Sequence, residues 1–331
     1  MQMLCEIKRT IKVFACIIIA FILSIKEFFI SISILKDAKR KRLESELLIT
    51  VHSLEKGMGL RNIKKGYGKQ KAIKAENLLN IYIDYGYDIK GFAFLESINI
   101  LSTYIKLKES WNEDIGDIKK KFDLILQRVS EDICHKANKL EAGCKIYSHE
   151  ELALNKVAEF KELVLSRHSI RDYKYEVVDR EIVLKAIELA NYSPSACNRQ
   201  PIKVYCTKSI KEAEYVDDLI SGTSGFKGLV PNFAIVTCDR AFFSGAEQYQ
   251  WYINGGIYVS YLSLAFQALG IGNCIMQWYA FYKNEKKLKK YFSISKTEAI
   301  IAIVGYGYYP ESIKCIAAQR KNVTDTLFFN D

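Results

Sequence analysis

The first 140 residues carry the hydrophobic pattern of helices. Apolar residues in 37–56 recur three or four positions apart, which places them on one helix face. That segment runs on to a glycine-containing turn, and similar spacing predicts a helix over 70–83 and further helices to about residue 139. Because no strand-like alternation stands out, the region 37–145 is predicted to be an all-α extension.

The pattern changes after Gly143, where short apolar runs of strand length alternate with helical stretches. The predicted helices cover 150–165, 180–191, 245–269 and 284–292, and the predicted strands cover 204–207, 233–238 and 299–306. Strands and helices are interspersed without strict strand–helix–strand repeats, which favours an α+β fold over a doubly wound α/β fold. Residues 150–331 are therefore predicted to form a separate mixed domain.

An apolar segment precedes both regions. Residues 13–25 lack charges, but Lys12 and the pair Lys26-Glu27 bracket them, and a membrane span needs about 20 apolar residues. We therefore expect residues 1–36 to form an apolar helix that lies on a membrane surface. The basic residues expected near the lipid headgroups are Lys36, Lys39, Arg40, Lys41 and Arg42. A single-span anchor and a helix docked on the protein are the alternatives.

Composition and charge narrow the class of protein. The 331 residues are 49% hydrophobic and 26% charged, which fits folded domains and excludes a disordered or collagen-like chain. The net charge is +10, and residues 36–74 hold 12 basic residues against 4 acidic ones. Such a region is either a solvated basic face or a contact for a polyanion, and an anionic membrane surface is the expected partner. No nucleic-acid-binding motif accompanies it, so nucleic acid is not expected.

The nine cysteines form neither a metal-binding nor a disulfide pattern. Their number is odd, their spacing is irregular and no C-x-x-C occurs, so we expect reduced thiols in a cytoplasmic compartment. His52 and Glu55 lie three residues apart but lack a third ligand, so no metal site is expected.

Two short segments carry candidate chemistry. The segment 167–171 contains two arginines, a histidine and a serine, a set that suits a phosphate, although basic residues also occur at ordinary helix ends. The segment 195–198 follows Pro194 and offers a hydroxyl, an amide and backbone N–H groups in a tight loop, which is otherwise simply a turn.

The order of these motifs resembles the FMN-dependent nitroreductase family. After Ser166-Arg-His-Ser-Ile-Arg171 come one helix, the loop Ser193-Pro-Ser-Ala-Cys-Asn-Arg-Gln-Pro201, a long helix ending at Ala268-Leu-Gly-Ile-Gly272, and Arg320-Lys321. The resemblance covers about 155–331, and residues 40–80 resemble the helical extension of longer relatives. It implies a central, mostly antiparallel sheet flanked by helices, with an all-α N-terminal extension, in a homodimer that binds FMN at its interface.

The resemblance also implies roles for individual residues. The implied cofactor-binding residues are Arg167, His168, Ser169, Arg171, Ser195, Ala196, Cys197, Asn198, Gln277, Trp278, Arg320 and Lys321. Arg167 and Arg320 would contact the phosphate, and Arg171 would lie near flavin N1 and O2. The 195–198 loop would meet the ring and the ribityl chain, partly from the other subunit. In this family a glutamate–glycine pair is common near flavin N5, and this chain has Gln277-Trp278 instead. The difference affects the contact with N5 and the access of substrate to it.

The implied reaction passes hydride from NAD(P)H through flavin N5 to a small electron-poor acceptor: a nitro compound, a quinone or a pathway intermediate. This chemistry depends on how the protein positions the flavin and its substrates, so we assign no catalytic side chain. The aromatic residues that would line an acceptor pocket, unless they only pack the core, are Tyr249, Trp251, Tyr252, Trp278, Tyr279, Phe281 and Tyr282. The alternative is a membrane- or polyanion-associated flavin-binding protein without turnover. An NAD(P)H donor implies a cytoplasmic location, with residues 10–42 holding the chain at the inner face of the membrane.

Overall fold

The computed structural model describes residues 36–140, 142–247, 249–278 and 282–329, together with single positions between 11 and 29. Its helices are α1 (Lys36–Met58), α2 (Lys69–Asp84), α3 (Phe92–Ser110), α4 (Gly116–Gln127), α5 (Glu131–Asn138), α6 (His149–Leu152), α7 (Val157–Ser166), α8 (Arg180–Ala190), α9 (Ile210–Leu219), α10 (Gln250–Ala268) and α11 (Tyr282–Tyr291). Its strands are β1 (Ile202–Cys206), β2 (Asn232–Asp239), β3 (Ile271–Gln277) and β4 (Glu298–Tyr308). Short 3₁₀ turns occur at 196–198, 240–242, 245–247 and 323–325.

Helices α1 to α5 share one hydrophobic core. The apolar face predicted for α1 is buried, and Leu47 and Val51 are fully enclosed. They belong to the same cluster as Leu79 of α2, Leu101 of α3 and Ile118 of α4. Burial of these faces provides most of the stability of such helices, since propensity alone supplies little. The prediction of an all-α extension is confirmed.

The second region is built on a four-stranded sheet. Within the described residues the strand order is β1-β2-β4-β3, and every neighbouring pair is antiparallel. Helices α8 and α10 pack on one face, and α9 and α11 pack on the other. Strand β2 is buried along its whole length because both faces are covered. These features confirm the predicted α+β fold with an antiparallel sheet.

Two elements of this region were not predicted. Strand β3 begins at Ile271, where the sequence indicated only a helix end, and it contains Gly272 and Asn273, which are poor strand formers. Its extended conformation comes from pairing with β4, a long-range contact. The sequence does contain a local indication of helix α9, because Ser209 is a typical N-cap residue. In the structure its hydroxyl accepts a hydrogen bond from the Glu212 backbone N–H at 3.3 Å.

The single helix predicted over 150–165 is wrong. The structure contains the short α6 and the longer α7, separated by residues 153–156. Ser148 and Glu151 cap α6 reciprocally, and no residue of either helix is buried. Without a buried face, nothing favours one continuous helix over two local ones. The apolar side chains of α7, such as Phe160 and Leu165, are therefore exposed.

Helix α1 docks on the sheet, and this corrects the expectation for one basic residue. Lys41 was expected near lipid headgroups, but its side chain is buried and forms an ion pair with Asp239 at the end of β2. Lys39, by contrast, is exposed, and Arg40 and Arg42 are half-buried. The helix face that carries Lys41 is covered by the end of β2 and by the residues that precede β4, a contact that spacing along the chain cannot show. The side chain of Lys36 lies outside the described residues.

Most of the apolar segment predicted over 13–35 lies outside the described residues. The positions that are described, such as Phe14 and Phe21, are helical and have exposed side chains. No helix in the described ranges is long and apolar enough to cross a membrane. Attachment of this segment to a membrane surface stays a prediction.

Candidate functional site

The predicted phosphate-binding segment leaves the end of α7 and runs beside the edge strand β3. Ser169 is bridged to Asn273, and the Ile170 backbone N–H donates to the Asn273 carbonyl at 3.0 Å. Asn273 is fully buried and fixed, since the Ser263 hydroxyl donates to its Oδ1 at 2.6 Å. Ile170 is buried, whereas its neighbours Ser169 and Arg171 are exposed, as alternation along extended backbone requires.

A cavity of about 570 Å³ opens beside this segment, and we call it the basic cavity. Its lining residues are Ser169, Arg171, Asp172, Gly225, Phe226, Leu229, Lys314 and Ile316. The Arg171 guanidinium lies over the Phe226 ring, with its central carbon 6.0 Å from the ring centroid. Lys314 adds a second cation and Asp172 a single carboxylate. The combination of two cations with an aromatic face suits an anionic, flat ligand.

The Cys274 thiol lies close to both arginines of the segment. Burial raises the pKa of this thiol, and the charges of Arg171 and Arg167, with a hydrogen bond to Ser169, act in the opposite direction. Arg167 and His168 are half-buried and do not line the basic cavity. The four predicted residues therefore lie together, but only Ser169 and Arg171 reach the cavity in a single chain.

The second predicted group lies in the loop 195–200, which has a constrained backbone. Cys197, Asn198 and Gln200 all adopt positive φ, at 53°, 51° and 47°. Asparagine tolerates this left-handed region, whereas cysteine and glutamine rarely enter it. The Ser195 hydroxyl accepts a hydrogen bond from the Gln200 backbone N–H at 3.1 Å, and the Ala196 N–H donates to Asn254 Oδ1 of α10 at 2.8 Å. The loop is therefore held in one shape, with Asn198 exposed.

Arg199, at the centre of this loop, is a residue that the sequence prediction missed. Its side chain is only 2% exposed, and its guanidinium donates twice to the Glu247 carboxylate, at 2.6 and 3.1 Å. It also donates to the carbonyls of Ala196 and Phe242, at 2.9 and 2.7 Å, and lies 4.6 Å from the centroid of the Phe243 ring. No sequence signal distinguishes this buried arginine from an exposed one.

A second cavity, of about 340 Å³, lies beside the loop, and we call it the loop cavity. Its lining residues are Phe92, Asn191, Ser193, Pro194, Ser195, Gln200, Ile202, Asn254 and Tyr258. Phe92 is the first residue of α3, so the helical extension forms part of this wall.

Both predicted groups lie in a segment that matches a known family. Residues 164–224 match the model of the nitroreductase family. This part of the chain is similar to nitroreductases. An Archaeoglobus fulgidus protein with the provisional name NADH dehydrogenase/NAD(P)H nitroreductase is 24% identical over 149 residues, which make up 44% of this chain and 83% of that protein.

Solved structures of nitroreductases resemble about half of the chain. An FMN-dependent nitroreductase from Clostridium difficile is 20% identical, with a TM-score of 0.42 over 51% of this chain and 98% of that one. A nitroreductase with bound FMN from Desulfitobacterium hafniense is 20% identical, with a TM-score of 0.41 over 53% of this chain and 100% of that one.

Within a single chain, the two groups lie at opposite edges of the sheet. Ser169 is bridged to β3, one edge strand, whereas the loop 195–200 leads through Pro201 into β1, the other edge strand. Three interstrand spacings, about 14 Å, separate the two edges. The basic cavity and the loop cavity share no lining residue. A single chain therefore does not bring the two groups into one site.

Arg320, which the resemblance implies would contact the phosphate as Arg167 does, forms only local hydrogen bonds among the described residues of a single chain. Arg320 is exposed and donates to the carbonyls of Ala318 and Gln319, its close neighbours, at 2.9 and 3.3 Å. Within the described part of the chain it makes no other hydrogen bond or ion pair. In a single chain the Arg320 side chain is therefore bonded only to its close neighbours, and the adjacent Lys321 is likewise exposed.

Lys314 is the cation that this segment does bring to the basic cavity. The sequence prediction missed it, since an isolated lysine between apolar residues carries no motif. Gln277, the last residue of β3, pairs with Ala302 of β4, and its side chain lies outside the described residues. Trp278 is half-buried and packs against the core cluster of α9 and α11.

The aromatic residues proposed for an acceptor pocket separate into different environments. Trp251 is a core residue, packed with Phe243 and Cys238, as the alternative of core packing expected. It is the second residue of α10 and packs with Cys238 of β2 and Ala299 of β4. Tyr249 and Tyr252 are exposed. Tyr279, Phe281 and the side chain of Tyr282 lie outside the described residues. Among the residues described, no group of three histidine, cysteine or acidic side chains is arranged to hold a metal ion.

Proposed function

We propose that this chain is an FMN-dependent oxidoreductase that takes hydride from NAD(P)H and passes it to a small electron-poor acceptor. The observation that carries the proposal is the basic cavity, which lies against a segment of the nitroreductase family match. The NAD(P)H donor is suggested by the name of the Archaeoglobus fulgidus relative. The experiment below determines which acceptor takes the hydride: a nitro compound, a quinone or a pathway intermediate.

The residues of the basic cavity fit FMN. Arg171 and Lys314 supply cations for an anionic group, the Ser169 hydroxyl supplies a hydrogen bond, and Phe226 supplies an aromatic face. Bound FMN would supply the N5 atom that accepts and returns hydride. The residues of this chain would bind and orient the cofactor, so the reaction needs no side-chain acid or base. Arg167 and His168, the other two residues of the predicted segment, precede Ser169 in the chain and do not line this cavity.

A homodimer would complete the site, and we propose this assembly for the chain. The loop 195–200 and the basic cavity lie about 14 Å apart at opposite sheet edges, so a second copy is needed to bring one loop to the other cavity. Apolar side chains that are exposed in one chain, such as Phe160 and Leu165 of α7 and Phe328 near the C-terminus, are typical of surfaces buried between copies. Arg320 would reach a phosphate across the same interface.

The dimer is tested by the mass of the chain in solution. We expect sedimentation equilibrium to give twice the 38.0 kDa chain mass. Leu165→Glu, on the exposed face of α7, should shift the protein towards monomer and weaken FMN binding, because it places a charge in the apolar interface. Leu124→Glu, at a similarly exposed position in α4 of the extension, should do neither. A wild-type monomer that binds FMN tightly would contradict the proposal.

Location is a further part of the proposal. An NAD(P)H donor favours the cytoplasm, and we propose attachment to the inner face of the membrane through residues 10–42, with Lys41 excepted because it is buried. Most of these residues lie outside the described part of the chain.

The oxidoreductase function is tested on the purified chain. We expect a yellow protein whose flavin absorbance is bleached by NAD(P)H and restored by a quinone or a nitroarene. Arg171→Ala and Arg320→Ala should each weaken FMN binding about tenfold, since a charge-assisted hydrogen bond is worth about 1.5–3 kcal/mol. Binding is measured by quenching of FMN fluorescence.

The control for these variants is Arg61→Ala, which removes an exposed arginine of the extension and should leave FMN binding unchanged. FMN binding without bleaching by NAD(P)H would favour the alternative, a flavin-binding protein without turnover. Wild-type FMN affinity in both Arg171→Ala and Arg320→Ala would rule out the assigned site.

A further inference from the structure

We propose that helix α1 of the extension fixes the conformation of the loop 195–200, and that Lys41 and Ser45 are positioning residues for the flavin site. The inference rests on the proposed function, because the shape of the loop matters to chemistry only where the loop meets the flavin. Three connected sets of contacts carry it, running from α1 to the end of β2 and then to the loop.

The first set anchors α1 on the sheet. Lys41 is 6% exposed, and its ammonium group has three N–H donors. These donors meet the Asp239 carboxylate, Thr297 Oγ1 at 2.9 Å and Ser295 Oγ at 3.4 Å. Ser45 lies one turn further along, on the same face of α1. A buried cation with every donor used holds the helix in one position, because any shift would leave a charge unpaired.

The second set fixes the turn 240–242 that follows β2. The Asp239 carboxylate accepts a hydrogen bond from the Ala241 N–H at 3.1 Å, so the acid that binds Lys41 also begins this turn. The Arg240 Nε donates to the Thr297 carbonyl at 3.0 Å. The Ser45 hydroxyl donates to the Phe242 carbonyl at 2.7 Å. Helix α1 therefore holds the turn at both of its ends.

The third set passes from the turn to the loop. The Phe242 carbonyl that accepts from Ser45 also accepts from Arg199 Nη1, at 2.7 Å. Arg199 in turn donates through Nε to the carbonyl of Ala196 at 2.9 Å. One carbonyl oxygen is thus shared between the extension and the loop arginine. The two are coupled, because a movement of Phe242 changes both hydrogen bonds.

The loop needs such support. Cys197 and Gln200 adopt positive φ, a conformation that residues other than glycine keep only when surrounding contacts impose it. The contacts of Arg199 impose it here, and those contacts depend on the turn that α1 holds. Phe92 of α3 also borders the loop cavity, so the extension contacts the loop from a second helix.

The test compares matched pairs of variants in the full chain. Ser45→Ala removes the hydroxyl that reaches Phe242, whereas Thr50→Ala removes an equally buried hydroxyl that bonds only within α1, to the Glu46 carbonyl at 2.7 Å. Lys41→Met removes the buried ammonium group, and Lys39→Met removes an exposed one. Ser45→Thr keeps the hydroxyl and is the rescue variant. Ser45→Ala is the milder change and gives a result even if Lys41→Met fails to fold.

We expect backbone amides of the loop to exchange hydrogen at least about tenfold faster in Ser45→Ala and Lys41→Met, in the FMN-free protein as well. FMN affinity should fall about tenfold in both variants, and the visible circular dichroism of bound FMN should change. Thr50→Ala, Lys39→Met and Ser45→Thr should match the wild type in all three measurements. The melting temperature is recorded alongside, because a purely structural role would lower it without changing the other readouts.

Two outcomes would overturn the inference. Wild-type loop exchange in Ser45→Ala and Lys41→Met would show that α1 does not fix the loop. Faster loop exchange together with unchanged FMN affinity and circular dichroism would show that the fixed loop does not serve the flavin site. A wild-type chain that binds no FMN would instead contradict the proposed function, and with it the role of Lys41 and Ser45 as positioning residues for that site.

Discussion

Replacing Arg199 with leucine is expected to lower the free energy of unfolding of this protein by about 3–5 kcal/mol. The guanidinium is 2% exposed and makes two hydrogen bonds to Glu247 and one each to the carbonyls of Ala196 and Phe242. Leucine fills part of the volume but removes the charged donor from the Glu247 carboxylate and from two carbonyls, and a hydrogen bond to a charged group is worth about 1.5–3 kcal/mol. Urea denaturation followed by far-ultraviolet circular dichroism measures the change.

The matched control for Arg199 is Arg180→Leu, at the exposed start of α8. It should change the free energy of unfolding by less than about 0.5 kcal/mol, as surface substitutions usually do. Arg199→Leu should also abolish FMN binding if the loop serves the flavin site as proposed. A loss of stability below about 1 kcal/mol in Arg199→Leu would show that the buried network contributes little.

The second large effect is a dependence of stability on pH that arises from Glu76 of α2. The residue is 1% exposed, and neither carboxylate oxygen has a hydrogen-bond partner in the part of the chain that the structure describes. Burial raises the pKa of this carboxyl to about 7, and the attraction of Lys121 acts in the opposite direction. A carboxyl in this position is therefore held in its neutral form in weakly acidic solution.

A raised pKa in the folded state fixes the sign of the effect. The neutral carboxyl contributes its full stability below the unfolded pKa of 4.5, and that contribution is lost as the pH rises through about 7. Glu76→Gln keeps the shape and cannot ionise. The difference in free energy of unfolding between Glu76→Gln and the wild type should change by about 3 kcal/mol, in favour of the variant, between pH 4 and pH 9. Urea denaturation at pH 4, 7 and 9 measures it.

Glu131→Gln, at the exposed start of α5, is the control for Glu76→Gln. The difference between this control and the wild type should stay nearly constant between pH 4 and 9. The buried Glu96, whose pKa burial and the nearby Glu55 raise to about 7, titrates in all these proteins and cancels from the comparison. Equal pH dependence in the wild type and Glu76→Gln would contradict the prediction.

Local pattern determined which parts of this sequence are helical and which are mixed. The helix predicted over 37–56 spans 36–58, and the strand predicted over 233–238 spans 232–239. These predictions succeeded because burial on one face of a helix, or along a central strand, leaves a periodic record in adjacent residues. The motif around Arg171 also pointed to the nitroreductase family before any contact was known, because a motif of this kind is short and continuous.

Tertiary contacts decided what the pattern does not encode. Strand β3 contains Gly272 and Asn273 and is a strand because β4 pairs with it. Lys41 sits in a run of basic residues that indicated a lipid surface, yet its partner Asp239 lies nearly 200 positions away and buries it. Whether a charged side chain is buried or exposed depends on which distant group meets it, and the sequence around it carries no trace of that group.

The residues of the proposed site also fall into two groups: those that a local motif identifies and those that only tertiary contacts place there. The sequence identified the segment 167–171 and the loop 195–198, because each is a contiguous motif. It did not identify Lys314, which the C-terminal segment brings to the basic cavity, or Arg199, whose role depends on Glu247 and Phe242. It also did not show that the two motifs lie at opposite edges of the sheet. Strand order places them there, and strand order is set by long-range pairing, which leaves no periodic record along the chain.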